Sequence, residues 1–584
     1  MKKLLKSSLS LFMAVVMLFS VSVTGFSADN SRIIAAANTV NTVINAAFSA
    51  LCAFFPKNFP TVEEYFANGS ENFFEGTENF LDSPAENARW NLGFGEESIV
   101  PENLADGSKE YYTGGYFTQK VNSVYDDQCT KAIALNDGSG RGTAVFASID
   151  GVGVSNGDIR AIRAEAMRKL EENGIDADIC AININSTHCH TVIDTQGFGL
   201  SLIPKVFLNI LSVLPFVSPV RSIDEEFLEV MIDGASDAIV EAYMNLESGS
   251  LYYFETVGIA KSEEYGIYLD DEYGYLRNKR YGTEGFQNTI ACFKFVPDNE
   301  SSAETVFSNF GAHPTTIDRA TEKLSADFPY YIAEKLGESG TNFMFIQGAQ
   351  SPVSVRKDAV ATKEIVDEVN AQIAQDPIVA DYYAAKTLGY EFARLITEAE
   401  ANAVEVDPVL NIRMSECVVP LDTGLLHLGA VSGLLGFTTV KDSESSSGYS
   451  LISEVGYIEI GSDIVMLTVP GELIPQLVFG NVVGADEAYL GTDWEIECTA
   501  DIVGENKTVL VMGLCNDAIG YIIPDNDFAP FIADSLWSLE IGDWQVGKEL
   551  FGEPKRHYEE MLSAGSKAAS SVMGTLNGIV KESN

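Results

Sequence analysis

The chain has 584 residues, 46% of them hydrophobic and 21% charged, enough to bury a large core and unlike a disordered tail or a disulfide-stapled miniprotein. Its 84 acidic and 37 basic side chains give a net charge of −47, which repels phosphate backbones and excludes nucleic acid as a partner. Eight cysteines without a C-x-x-C pair form neither a thiolate zinc module nor a readable disulfide framework, and leave room for one or two disulfides.

The chain opens with Lys2, Lys3 and Lys6, an apolar core from Leu9 to Phe19 and then small residues. This is the pattern of a secretory signal peptide over residues 1–28, with cleavage at Gly25 or Ala28. The alternative is an uncleaved anchor helix, which the short apolar core disfavours. Loss of the three lysines from the 37 basic residues would deepen the charge from −47 to −50, so the expected mature protein is acidic and secreted or held at the cell surface. In the next segment, 29–85, Val40, Val43, Ile44, Ala47, Phe48, Leu51 and Phe55 recur at helical spacing until Pro56, predicting one amphipathic helix followed by a polar stretch.

From residue 86 to 584 apolar strands and helical segments alternate, which predicts an α/β main domain. An apolar island at 198–220, broken by Pro204, Pro215 and Pro219, is too short between prolines to span a bilayer. It reads as a pocket wall or lid, an interfacial hairpin or simply core. A helical stretch is expected from about Ala361 to Ala403 and a Ser-rich loop at 441–448. No internal repeat recurs at a fixed period.

The residues able to do chemistry share one kind of location. TAVFASID ends at Asp150, ADICAININSTHCH at His188 and His190, TVFSNFGAHP at His313, TNFMFIQGAQS at Ser351, DIVMLTVPGE at Glu472, and TVLVMGLCND leads toward Tyr521. Each apolar run reads as a buried strand with its polar group at the carboxyl end, the edge where α/β sheets bind ligands. If the strand continues through STHCHT, His188 and His190 share a face and Cys189 takes the other. With only five histidines in the chain, a His-x-His pair and a third His at another strand end point to metal ligation or catalysis. Zinc suits imidazole and carboxylate donors, and Glu472, at a strand-to-helix turn, is the leading carboxylate. His427, in LLHLGA, reads as structural, and the role of His557 stays open.

These motifs together resemble the neutral/alkaline ceramidase family, zinc amidases that cut the amide joining fatty acid to sphingoid base. The resemblance runs in order through Ser186-Thr187-His188-Cys189-His190, Ala312-His313-Pro314-Thr315, Gly348-Ala349-Gln350-Ser351-Pro352, Pro470-Gly471-Glu472, Asn516-Asp517-Ala518-Ile519-Gly520-Tyr521-Ile522 and Tyr558-Glu559, from about residue 110 to 565. It implies a large mixed-sheet catalytic domain over 86–584, with one zinc ion held by His188, His313, Glu472 and Tyr521. It further implies His190 as a hydrogen-bonding or acid/base partner, Ser351 as the hydroxyl beside the scissile carbonyl and Tyr558 as an oxyanion or leaving-group contact. Arg277 and Arg280 are candidates for the family's arginine. The family's C-terminal immunoglobulin-like domain is not expected, since only 25 residues follow Glu559.

Several positions depart from the family: Cys189 stands for Thr, VIDTQGFG and the apolar island follow His190, Ala349 and Gln350 replace an acidic motif, and Ala518 replaces a tyrosine. The metal set is intact and the substrate-facing set altered. The expected function is a secreted zinc-dependent hydrolase acting on an amphiphilic N-acyl amide, with the apolar islands available for an acyl chain or peripheral membrane contact. The alternatives are a zinc hydrolase of another acylated amide or ester, and a non-catalytic lipid-binding protein with a degenerate site. A Ser351 triad ranks below these, because Gln-Ser-Pro lacks the G-x-S-x-G elbow.

Overall fold

The computed structural model describes residues 31–583 except 53–54, 56–58, 116–118, most of 199–219, 258–275, 279, 281–288, 318–321, 356–360, most of 531–544 and 552–556. The signal-like segment and most of the apolar island lie outside the described residues. So does the side chain of Arg277.

Two sheets dominate. The larger contains β1 (Trp90–Ser98), β2 (Cys129–Asn136), β3 (Thr143–Ile149), β4 (Ile179–Ser186), β5 (Glu247–Val257), β6 (Thr289–Pro297), β7 (Thr305–Phe310), β8 (Asn342–Gln347) and β9 (Val404–Glu405). They lie in the order β8-β7-β6-β5-β1-β2-β3-β4, with β9 beside β5. The smaller contains β10 (Leu410–Pro420), β11 (Thr439–Lys441), β12 (Tyr449–Ile460), β13 (Ile464–Thr468) and β14 (Thr508–Met512), in the order β10-β12-β13-β14 with β11 beside β12. The pairs β3–β4, β7–β8 and β13–β14 are parallel, within largely antiparallel surroundings.

The period-2 alternation of side chains decides the layering. Along β6, Ala291, Phe293 and Phe295 join a core shared with Ile412, Met414, Ile458 and Met466 of the smaller sheet. Ile290 and Cys292 point the other way, toward Phe328, Ile332, Phe392 and Ile396. In β14, Leu510 and Met512 enter the shared core while Val509 and Val511 face a third cluster with Val572, Met573 and Leu576. The result is helices, sheet, sheet and helices in four layers, each sheet apolar on both faces. Helices α2 (Asn156–Glu172), α3 (Glu225–Met244), α4 (Asp327–Gly337) and α6 (Tyr383–Ala399) cover the larger sheet, and α7 (Gly424–Val431) and α8 (Ala568–Ser583) the smaller.

A buried ionic network joins the layers at one edge. Arg163 of α2 donates to Glu454 of β12 from both terminal nitrogens (3.0 and 2.8 Å) and to the Ile182 carbonyl of β4 (2.9 Å), and Arg160 adds a bond to Glu454 (3.0 Å). Burial disfavours the Glu454 carboxylate, but the two arginines outweigh it and hold its pKa below the usual value.

Local differences from the sequence reading have simple causes. The N-terminal helix, α1 (Ser31–Cys52), starts ahead of the apolar pattern, with Ala36, Ala37 and Val40 buried. The polar stretch after it runs along β10, where Thr77 N donates to Ile412 O (2.9 Å) and Met414 N to Glu75 O (2.9 Å). The expected helix at 361–403 is two helices, α5 (Lys363–Gln375) and α6, separated where Pro377 withdraws a backbone donor. The Ser-rich loop closes the β11–β12 hairpin. No two of the eight cysteines are joined in a disulfide.

Candidate metal centre

Strand β4 ends at Ser186, so the His-x-His segment is not extended strand: His188 sits in the left-handed region at φ 66°. The alternation argument fails there, yet the two imidazoles still meet, with His190 Nε2 3.2 Å from His188 Nε2. Cys189 turns away, its thiol donating to Ala326 O (2.8 Å).

His313 follows β7 and Glu472 follows β13, so the larger sheet supplies two imidazoles and the smaller one a carboxylate. Glu472 Oε2 lies 3.1 Å from His313 Nε2 and 3.3 Å from His188 Nε2. Ligand atoms of these three buried residues fall within 4.8 Å of one another. Four donors placed tetrahedrally at about 2.0–2.1 Å from zinc are separated by about 3.3 Å, so both of these distances have the length such a site requires.

Tautomers agree with that use. His188 Nδ1 is 2.6 Å from the Val152 carbonyl and His313 Nδ1 2.7 Å from the Val353 carbonyl. A carbonyl can only accept, so both Nδ1 atoms carry hydrogen, and the Nε2 lone pairs are left for a cation. Glu472 is buried, which disfavours its charge, but His188 and His313 outweigh the burial and hold its carboxyl well below the usual range. The donor set fits a divalent metal ion, and these three residues could hold one.

The backbone around the ligands is clamped by Gln347, the last residue of β8. Its Nε2 donates to Thr187 O (3.0 Å) and Ala312 O (2.9 Å), the residues just before His188 and His313, and its Oε1 accepts from Ala312 N (3.2 Å). Gly115, at φ 83°, makes room for His190: a Cβ there would stand 2.5 Å from His190 Nδ1.

A cavity of about 280 Å³ opens over the group, reached by His188, His190 and Glu472 and otherwise mostly apolar, with Val152, Phe198, Leu425, Leu514, Met561 and Leu562 in its wall. Phe198 is the one residue of the apolar island that lines it among the described residues.

The other expected site residues fall as follows. Tyr521 is buried and pairs by backbone with Glu472 in a two-residue parallel bridge, and its ring packs edge-on against Tyr558 at 6.1 Å. Ser351 is buried, its hydroxyl without a hydrogen-bond partner, and its amide donates to Leu473 O (3.1 Å). Arg277 pairs by backbone with Ser354. Arg280 lies in a cluster with Asp527 (2.9 Å), Glu559 (3.2 Å), Glu560 (3.0 Å) and His557 (3.0 Å). His427 is buried against Tyr449, and burial lowers its pKa to about 4, which suits a structural residue. Gln347, Gly115, Gln196 and the carbonyls of Val152 and Val353 had no part in the sequence reading. Only DGVGVS, with glycines on both sides of Val152, hinted at a tight backbone approach.

No family model matches the chain. No curated protein matches it by sequence. Among solved structures, neutral ceramidase from Pseudomonas aeruginosa superposes with a TM-score of 0.53 at 13% identity, covering 85% of this chain and 74% of that one. A ceramidase complexed with C2 gives a TM-score of 0.52 at 12% identity, over 85% and 75%. The chain therefore has the fold of neutral ceramidase, carried by a sequence in which few residues coincide.

Proposed function

We propose that this protein is an exported zinc-dependent hydrolase of N-acyl amides. One observation carries the reading: two imidazoles and a carboxylate, delivered by three strand ends from two sheets, face one point beneath an apolar cavity. Zinc held by His188, His313 and Glu472, with Tyr521 proposed as a fourth ligand, supplies Lewis-acid activation of water and of the scissile carbonyl. The remaining work falls to the chain. His190, outside the ligand group but 3.2 Å from His188, takes the proton of the attacking water at Nε2 and returns it to the departing amine. Ser351 and Tyr558 orient the oxyanion and leaving group. The apolar wall receives the acyl chain and excludes bulk water from the amide. The signal-like residues 1–28 support export, and an amphiphilic N-acyl compound matches a cavity that is apolar except at its metal-facing end.

The test is metal analysis of the purified protein alongside hydrolysis of N-acyl sphingosines, N-acyl amino acids and acyl esters. About one zinc per chain, amide turnover, and loss of both in His188→Ala are expected. Turnover of N-acyl amino acids alone would discard ceramide as substrate, and preference for esters would change the bond. Absence of bound zinc would leave a lipid-binding protein.

A further inference from the structure

We propose that Gln196 is a specificity residue whose side-chain carbonyl accepts a hydrogen bond from a donor on the polar head of the substrate. This rests on the cavity being the binding site proposed above. Gln196 lies in the loop after His190 and is 5% exposed, yet it lines the cavity beside His188, His190 and Glu472. Its Nε2 donates to the Ala518 carbonyl (2.5 Å). That contact fixes the amide: the reverse orientation would set two acceptors against each other, so Oε1 must be the free end. Nothing among the described residues donates to Oε1, while the residue's backbone N–H donates to Asp194 and its Nε2 to Ala518 O. Oε1 is not sealed inside the protein but borders the cavity, so a ligand that fills the cavity displaces its water and must supply a donor in return or leave it unpaired.

The loop is built to hold it there. Asp194 accepts from the amides of Gln196 (3.0 Å) and Gly197 (2.8 Å), and Thr195 Oγ1 donates to Gly153 O (2.7 Å). Gln196 Oε1 comes within 3.2 Å of where a Gly153 Cβ would stand, next to the Val152 carbonyl that orients His188. Apart from His188, His190 and Glu472 the wall is lined by residues such as Phe198, Leu514 and Ala518, so beyond the metal-facing group this oxygen is the one side-chain amide acceptor that lines the cavity among the described residues.

A site built around an unpaired acceptor discriminates against ligands that lack the matching donor, since they leave it desolvated and unsatisfied. The donor can be a head-group hydroxyl or the amide N–H, and three chain-matched ligands separate them: an N-acyl amino alcohol, its analogue without the hydroxyl, and the N-methylated amino alcohol amide. Their affinities are measured by calorimetry on the full chain in chelator, so the result does not depend on hydrolysis. Loss of affinity by about fivefold or more with one analogue is expected and identifies the donor. In Gln196→Met that ratio falls to about one, while Gln196→Glu, which keeps an acceptor, retains a preference. Equal binding of all three ligands by the unaltered chain overturns the proposal, as does an undiminished preference in Gln196→Met. Donor-dependent binding without any hydrolysis would uphold this inference and defeat the proposed function instead.

Discussion

Replacing Glu472 by Gln preserves the side chain's shape and removes the one negative charge among the three converging residues. Glu472 Oε2 lies 3.1 Å from His313 and 3.3 Å from His188, so its loss as an anion removes the donor the two imidazoles share. Changes to groups that merely orient a ligand lower metal affinity roughly 10- to 100-fold. Loss of the anionic ligand itself should exceed about 100-fold. At free zinc about 100 times the wild-type Kd, the bound ion stabilises the fold by about 2.7 kcal/mol. Unfolding entropy of about 2.1 cal/mol/K per residue over 584 residues gives about 1.2 kcal/mol/K, so zinc should raise Tm by about 2 °C. The same zinc concentration no longer exceeds the Kd of Glu472→Gln, whose shift should fall below about 0.5 °C. Differential scanning calorimetry in chelator and then in zinc, with elemental analysis of the dialysed protein, measures both quantities. A Glu472→Gln protein that retains one zinc per chain and the full shift would refute the assignment of this carboxylate.

Gly115→Ala should lower N-acyl amide turnover while leaving zinc content near one per chain, because the new Cβ meets His190 Nδ1 at 2.5 Å and φ 83° is costly for alanine. The measurement is paired kinetics and metal analysis, and full turnover would argue against His190 as proton carrier. Glu454→Ala leaves Arg163 and Arg160 facing each other without their shared carboxylate, and should cost about 3–5 kcal/mol in urea unfolding. Asp517 is buried, which pushes its pKa up to about 7 although Ala518 N, Ser453 Oγ and Asn156 N hydrogen-bond to it. A folded pKa above the unfolded value favours folding below about pH 4, and that contribution is lost as pH rises to about 7. Asp517→Asn should therefore gain stability relative to wild type by up to about 4 kcal/mol between pH 4 and 8. Parallel stability curves for the two proteins would contradict it.

Much of the centre was legible because buried strands announce themselves. The β-branched runs before His188, His313 and Glu472 end where the polar residues begin, and each of those ends does fall at the site. The geometry between them was not legible. His188 reaches its place through a left-handed turn, not by strand alternation, and a backbone angle leaves little trace in residue type. The carbonyls of Val152 and Val353 orient both imidazoles, but a main-chain acceptor has no side-chain signature at all. Gln347 reads as the last residue of an apolar strand, and its clamp on Thr187 and Ala312 depends on β4 and β7 ending at the same edge. Gln196 lies in a stretch where the chain departs from the ceramidase pattern, so resemblance offered no role for it.

Because His188 and His313 extend from one sheet and Glu472 from the other, the centre exists only after the two have docked. A cation bound there works as a rivet across that seam. Release of an ion bound there should consequently accompany the parting of the two sheets, and an indicator dye for free metal would time that separation independently of any optical signal from the polypeptide.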